Sequence, residues 1–266
     1  MAQQEEFSVK DIVLTLLQAS RGSVPVNAIV RVGALMGVSG NAIRVSLSRL
    51  VQKGMVVTDD EGNYRISSET SPMQELVQCW RLGEKRRVSW RGNWVICDLP
   101  RPAPAQSVRN RSTWALELLG FRRTPTHLWL RPDNLAGGIK TLREKLADLE
   151  IESNAELFIG SRFSEQALRH MQTKLWPIKK MSTRYQQLYR RLQKGMIQLN
   201  KKPTDTMLVN AFMLGNGVVR TLITDPMLPE EMQDPAPRIR LTNLMLKFDA
   251  KGRRIWESAV EGLKLI

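Results

Sequence analysis

The chain has 266 residues, 40 of them basic and 26 acidic, for a formal charge of +14 and a pI near 10.2. Such a balance favours a polyanionic partner, nucleic acid first and an anionic membrane second, and the length suits two or three small domains. No run approaches the about 18 apolar residues of a transmembrane span, and the N-terminus MAQQEEFSVK carries acids with no apolar signal region behind it. Cys79 and Cys97 lack a metal-type spacing, so the expectation is a cytoplasmic protein with free thiols, no cofactor and no membrane partner.

Phe7 to Leu17 predicts a first helix, with Val9, Ile12, Val13, Leu16 and Leu17 as its apolar face. Ser8 caps it and Asp11 completes a capping box. Gly22 and Pro25 interrupt the pattern, Val26 to Leu35 is a second helix, and Met36-Gly37-Val38 leads tightly into a third. Ser39 caps the third helix, Ile43, Leu47 and Leu50 form its buried stripe, and Gly54 ends it. Met55 to Val57 and Tyr64 to Ile66 are short strands joined by the turn-rich Asp59 to Asn63. Helix, helix, turn, helix, hairpin is the order of a winged helix-turn-helix, although such wings also occur on protein-binding modules.

The expected DNA-binding residues are Asn41, Arg44, Ser48, Arg49 and Gln52 on the third helix, with Asn63 and Arg65 in the wing. Arg44 is the best candidate for a base contact, because a guanidinium bonds bidentate to guanine O6 and N7. A phosphate clamp, or a bond to the protein's own backbone, is the competing role. Asn41 reads a base or supports the helix entry, and Ser48 lies one turn beyond Arg44. Arg49 is on a different face and suits a phosphate or an intramolecular contact. Asp59, Asp60 and Glu61 argue against a deeply inserted wing tip.

Ser68 to Pro72 reads as a linker and Met73 to Leu82 as a short helix. Trp94 to Leu99 is a buried strand ended by Pro100-Arg101-Pro102. Ser107 to Leu119 is a helix, and Gly120 to Thr124 pairs with Leu128 to Arg131 across Pro125-Thr126-His127. Gly137 to Leu149 is a second helix and Ala155 to Gly160 a last strand. The sum is β-α-β-β-α-β, the split βαβ or ferredoxin-like order. No strand rhythm follows. Ser164 to Leu175 stops at Trp176-Pro177, and Ile178 to Leu199 is a long basic helix with a break near Gly195. Pro203 opens a helix with Thr204, Met207, Leu208, Ala211, Phe212, Leu214 and Val218 as candidates for burial. Asp225 to Pro229 is a rigid connection, and Arg238 to Asp249 and Arg254 to Leu263 are the last two helices. Their apolar faces suit a subunit interface as well as a private core. The fold class is therefore α+β: a winged helix-turn-helix over 1–70, a ferredoxin-like domain over 71–161 and a helical domain over 162–266.

Charge is unevenly spread. Residues 1–67 carry seven bases and six acids, whereas 80–131 carry eleven and three, and 162–203 eleven and one. The basic blocks suit flanking phosphates or a separate anionic ligand. In the first block Arg86, Arg87 and Arg91 surround Trp90 and Trp94, a composition that can hold an anionic aromatic or nucleotide-like effector, brace the reading head, or touch DNA. In the second, Arg184, Arg190, Arg191 and Lys194 form another anion-site candidate, for which a solvated helix face is the simpler reading. Trp114, Trp129 and Trp176 read as core. For catalysis there is little: His127 and His170 are isolated, and no H-E-x-x-H, nucleophile elbow or phosphate loop occurs. Asp98 is the one well-placed carboxylate for a metal-dependent nuclease and is more simply a strand-end residue. No metal site and no enzyme are expected.

Three stretches resemble the PaaX-type transcriptional regulators, typified by the phenylacetate-degradation repressor. They are Asn41-Ala42-Ile43-Arg44-Val45-Ser46-Leu47-Ser48-Arg49-Leu50 with Lys53-Gly54; Gly120-Phe121-Arg122 with Leu128-Trp129-Leu130-Arg131-Pro132-Asp133-Asn134-Leu135; and Asp225-Pro226-Met227-Leu228-Pro229. Glu230 to Pro237 departs from the family, lacking a Leu-Pro then Trp-Pro-Gly run. The resemblance implies a cytosolic repressor that dimerises on palindromic double-stranded DNA and is released by an effector such as an aryl-acyl coenzyme A. A constitutive nucleic-acid-binding or architectural protein is the alternative, and a metal-dependent nuclease a further one.

Overall fold

The structure is a computed structural model that describes residues 8–67, 71–100 and 105–266. The chain forms two compact units, one from Met1–Glu75, Gln193–Asn216 and Leu246–Ile266, the other from Leu76–Leu192 and Gly217–Met245. The helices α8 (Ile178–Gln198), α9 (Asp205–Ile223) and α10 (Ala236–Ala259) each contribute residues to both.

The first unit begins with α1 (Val9–Ala19), whose capping box forms as expected: Ser8 Oγ accepts from Asp11 N at 3.2 Å and the Asp11 carboxylate accepts from Ser8 N at 3.3 Å. Helices α2 (Val26–Leu35) and α3 (Gly40–Gln52) follow, and Ser39 Oγ accepts from Ala42 N at 3.2 Å to start α3. Gly54, at φ +68°, takes the left-handed turn that ends it. A Cβ on Gly33 would stand 2.6 Å from Ile43 Cγ1, so glycine is what lets α2 and α3 approach closely. Strands β1 (Val56–Thr58) and β2 (Tyr64–Ile66) pair antiparallel, Val56 facing Ile66. Val24 covers the other edge of β2, exchanging two backbone hydrogen bonds with Tyr64 at 2.8 and 2.9 Å.

Ile43, Leu47 and Leu50 are buried with Val13, Leu16, Ile29 and Val32, which is the helical stripe the spacing predicts. The same core also holds Leu208, Trp256, Val260, Leu263 and Leu265. The chain's last residues pair back onto the end of α1: Arg21 N donates to Lys264 O and Ile266 N to Ala19 O, both at 2.8 Å. The head is thus built from three parts of the sequence far apart.

Helix α4 (Ser71–Gln78) begins in the first unit, ends in the second and runs into a 3-10 segment, Cys79–Arg86, bent at Gly83. The linker expected over Ser68 to Pro72 lies partly outside the described residues, and Ser71 and Pro72 already belong to α4. Then come β3 (Trp94–Asp98), α5 (Gln106–Leu118), β4 (Arg122–Arg123), β5 (Trp129–Pro132), α6 (Gly138–Asp148) and β6 (Glu156–Gly160). The sheet order is β4-β5-β3-β6 with every neighbour antiparallel, the split βαβ arrangement. Strand β3 is central, so Trp94, Val95, Ile96 and Cys97 are buried on both faces and read as a continuous apolar run. The helix α7 (Glu165–Lys174) stops before Trp176-Pro177, and Trp176 packs under the sheet beside Trp94.

Four expectations are corrected. Trp114 is 46% exposed, because it stands on the outward side of α5, whereas Trp129 and Trp176 are core. Helix α8 does not break at Gly195; a Cβ there would meet Leu214 and Phe248 at 2.9 Å, so the residue makes room for neighbours. The last two predicted helices are one, α10, with an Asp249–Arg253 ion pair of 3.2 Å spanning the expected gap. Thr204 is exposed and caps α9, its hydroxyl accepting from Met207 N at 3.2 Å, while Leu208 and Val218 are buried. By length and composition α9 is apolar enough to cross a bilayer, yet Leu208, Val218 and Leu222 are buried inside the protein.

Candidate nucleic-acid interface

Helix α3 buries one side and leaves the other bare. With about 100° per residue, Asn41, Val45, Ser48 and Gln52 lie opposite the Ile43-Leu47-Leu50 stripe, with Arg44 and Arg49 on the two flanks. Asn41, Arg44, Ser48, Arg49 and Gln52 are all exposed, and none of their side chains has a hydrogen-bond or ion-pair partner among the described residues. Arg44 folds back over the start of the helix: a Cβ on Gly40 would lie 3.2 Å from its Nη1 and 3.1 Å from Val30 Cγ1. Its guanidinium donates to no acceptor among the described residues.

Val45 is the residue that the sequence reading missed. It is 42% exposed at the centre of the outward face, ringed by polar neighbours. A single exposed valine is common on protein surfaces. Its position opposite the buried stripe, computed by the same periodicity, was the signal available in the sequence.

The wing is held by its own carboxylate. Asp59 Oδ1 accepts from Asn63 N at 2.9 Å and from Glu61 N at 3.1 Å. The hydrogen bond from the Asn63 backbone is the largest influence on the Asp59 carboxyl and lowers it below its usual range. The Asn63 amide nitrogen donates to Asp59 Oδ2 at 3.3 Å and Glu61 Oε2 at 3.2 Å, so it is committed to the loop. Arg65 is exposed on β2 with no partner among the described residues, while Asp60 and Glu61 keep acidic groups at the tip.

The five residues expected around an effector separate into different roles. Arg86 Nη1 donates to Leu222 O at 3.0 Å. Arg87 donates to Leu228 O at 2.8 Å and pairs with Glu84 at 2.8 Å. Trp94 is fully buried, 5.4 Å edge-to-face from Trp90 and 6.2 Å from Trp176, and Trp90 Nε1 donates to Asn93 O at 2.6 Å. Of the five, Arg91 is exposed and has no partner among the described residues. The fold therefore consumes two of the guanidiniums and one of the indoles.

Arg87 holds the Asp225-Pro226-Met227-Leu228-Pro229 segment, which is buried throughout. Arg131 Nη2 donates to Pro226 O at 3.3 Å, and its Nη1 donates to Leu119 O. Asn134 Nδ2 donates to Met227 O at 2.7 Å, and Asp225 Oδ1 accepts from Met227 N at 2.7 Å. Met227 sits at φ +54°, a backbone state that a side chain other than glycine adopts only when its surroundings enforce it. Asp225 Oδ2 also accepts from Tyr185 Oη at 2.5 Å, and Arg238 reaches Asp225 at 3.5 Å and Glu84 at 2.9 and 3.2 Å. Burial, with the Arg86 charge second, pulls Arg131 down to about 9, still cationic at neutral pH with its carbonyl acceptors in place. Arg131, Asn134, Tyr185 and Arg238 were not singled out by sequence reasoning as a network, because their partners are remote in the chain.

Asp98 stands opposite Glu156 in the β3–β6 register. Among the described residues no group of three or more His, Cys, Asp or Glu side chains is placed to hold a metal ion. Cys97 is buried, and burial first, then the Asp98 charge, pushes its thiol up to about 12. His127 and His170 are exposed.

A family model described as PaaX-like protein matches residues 8–70, the winged helix just described. Among solved structures, an uncharacterized protein from Mycobacterium tuberculosis is similar to this chain, with a TM-score of 0.59, 20% identity, and 92% of this chain and 97% of that one covered. That likeness is one of fold alone. No curated protein matches the chain. The N-terminal region is thus similar to PaaX-like proteins, and the whole chain shares its architecture with the mycobacterial protein.

Proposed function

We propose that the chain is a cytoplasmic, sequence-specific DNA-binding transcription regulator that acts as a repressor and homodimer, placing α3 of each copy in a major groove of an inverted repeat. The PaaX-like match over the winged helix supports a protein of the transcription-regulator type. One observation carries the finer reading: on α3, five polar or basic side chains that match base and phosphate chemistry are exposed and unpartnered opposite a fully buried stripe. The roles are Arg44 to a guanine edge, Asn41, Ser48 and Gln52 to bases, and Arg49 and Arg65 to phosphates. Selection of duplexes from a random pool by the full-length protein, followed by footprinting, tests this. A protected inverted repeat is expected; failure to enrich any sequence overturns it.

Release by a small anionic effector of the aryl-acyl coenzyme A class belongs to this proposal. A second reading, a constitutive binder without an effector, is favoured by one specific finding: Arg86, Arg87 and Trp94 are taken up by the fold. Titrating the protein–duplex complex with phenylacetyl coenzyme A separates the two. Dissociation supports the effector, and unchanged binding supports the constitutive reading.

A further inference from the structure

The outward face of α8 carries a run of cations that the fold does not use. Lys179, Lys180, Arg184, Arg190 and Arg191 are exposed, and none has an ion pair or side-chain hydrogen bond to a described residue. The opposite side is closed: Tyr185, Leu188 and Leu192 are buried. Helical spacing aligns Lys180, Arg184, Gln187 and Arg191 in one row, with Lys179, Thr183, Gln186 and Arg190 in the next. No acid occurs between Glu165 and Asp205, so nothing in the sequence nearby offsets these charges.

The arrangement works against the helix itself. Lys179 and Lys180 lie in its first turn, at the positive end of the macrodipole, where cations are unfavourable. Lys180 and Arg184 repel one another at i, i+4 spacing. A helix selected for stability alone would place carboxylates in that first turn. Such a face suits an external polyanion. A membrane surface would need several exposed apolar residues to insert beside the cations, whereas the exposed Ile197 of α8 lies beyond them, past Arg191, and a single strand would need exposed aromatics for stacking. Between the cations stand only Thr183, Gln186 and Gln187, which hydrogen-bond to phosphate oxygens. From Lys180 to Arg191 the row is about 16 Å long, near the axial rise of about five base pairs.

We infer that this face of α8 is a second DNA-contacting surface, which grips the phosphate backbone of a duplex. The inference rests on the reading of the chain as a DNA-binding protein, but its contacts are to phosphates and carry no sequence preference.

The test compares full-length protein with Lys180→Gln/Arg184→Gln/Arg191→Gln and with the charge-preserving Lys180→Arg/Arg184→Lys/Arg191→Lys. Binding is titrated against salt on the duplex selected above and on its scrambled counterpart. The neutral variant is expected to lose about 2–3 per copy, about 5 for the bound dimer, from the log–log salt slope, near 0.9 for each phosphate released. It should weaken both duplexes by the same factor, and the charge-preserving variant should keep the parental slope. A slope unchanged by neutralisation overturns the inference, and so does a loss confined to the selected duplex. An unchanged slope together with lost binding to phosphatidylglycerol vesicles would assign the face to membrane instead. If the parent does not distinguish selected from scrambled DNA, the recognition role of α3 fails, and the slope comparison still decides the role of α8.

Discussion

Asn134 Nδ2 donates to Met227 O at 2.7 Å across 93 residues of sequence, and this bond joins two of the three stretches that resemble the regulator family. Arg131, three residues earlier, grips the neighbouring carbonyl of Pro226 at 3.3 Å. Arg-Pro-Asp-Asn and Asp-Pro-Met-Leu-Pro therefore belong to one buried joint, in which side-chain donors satisfy the carbonyls of a segment too irregular to satisfy its own.

Asn134→Leu should destabilise the protein by about 2–3 kcal/mol, because the Met227 carbonyl loses its donor, Arg131 loses an acceptor and both remain buried. Lys140→Ala, on the exposed side of α6, should stay within about 0.5 kcal/mol. Chemical denaturation of the two variants beside the parent checks this. Equal midpoints would show that the joint relaxes without cost.

The Glu84 carboxyl is pushed up by burial, but hydrogen bonds and charge from Arg238, with Arg87 beside it, outweigh burial and leave it below 4.5. A carboxyl depressed in the folded state contributes stability that is complete above its unfolded value. That contribution is lost as pH falls through the depressed one. Stability of the parent should therefore drop below pH 4.5, and Glu84→Gln should flatten that drop while being less stable at pH 7. Denaturation midpoints taken from pH 7 to 3 decide it, and parallel curves would remove Glu84 from the acid response.

Trp256 is buried in the head's core and meets Phe212 edge-on at 6.1 Å. Trp256→Ala should cost about 3–5 kcal/mol, although the residue is over 180 positions beyond the wing. Amide exchange in α1 and α3 should quicken with it. If protection in those helices were unaffected, the C-terminal residues would be dispensable to the head.

With α3 docked in a major groove as proposed, Val45 would face the groove floor, where an apolar side chain suits a thymine methyl. Replacing thymines one at a time by uracil in the selected duplex should reveal one position where the full-length protein loses affinity by about three- to tenfold. Val45→Ala should bind more weakly and be indifferent to uracil at that position. A parent that tolerates uracil everywhere would limit Val45 to a bystander.

The sequence by itself determined the local elements, because they rest on short-range periodicity. The Ile43-Leu47-Leu50 stripe, the Ser8 and Ser39 caps and the continuous apolar run of β3 need no distant partner to be legible. The exposed polar side of α3 follows from the same arithmetic, and so does the order of the split βαβ sheet. Tertiary structure alone decided which guanidiniums are free. Arg86, Arg87 and Arg131 read like the rest of the basic blocks, yet their donors are spent on carbonyls of Leu222, Leu228 and Pro226, while Arg44 and Arg184 meet no acceptor among the described residues. It also decided that the head takes Trp256, Val260, Leu263 and Leu265 into its core. A buried site needs atoms to fill it and acceptors to match its donors, and the chain supplies these from whatever segment the fold brings alongside. Composition and spacing carry no record of that choice.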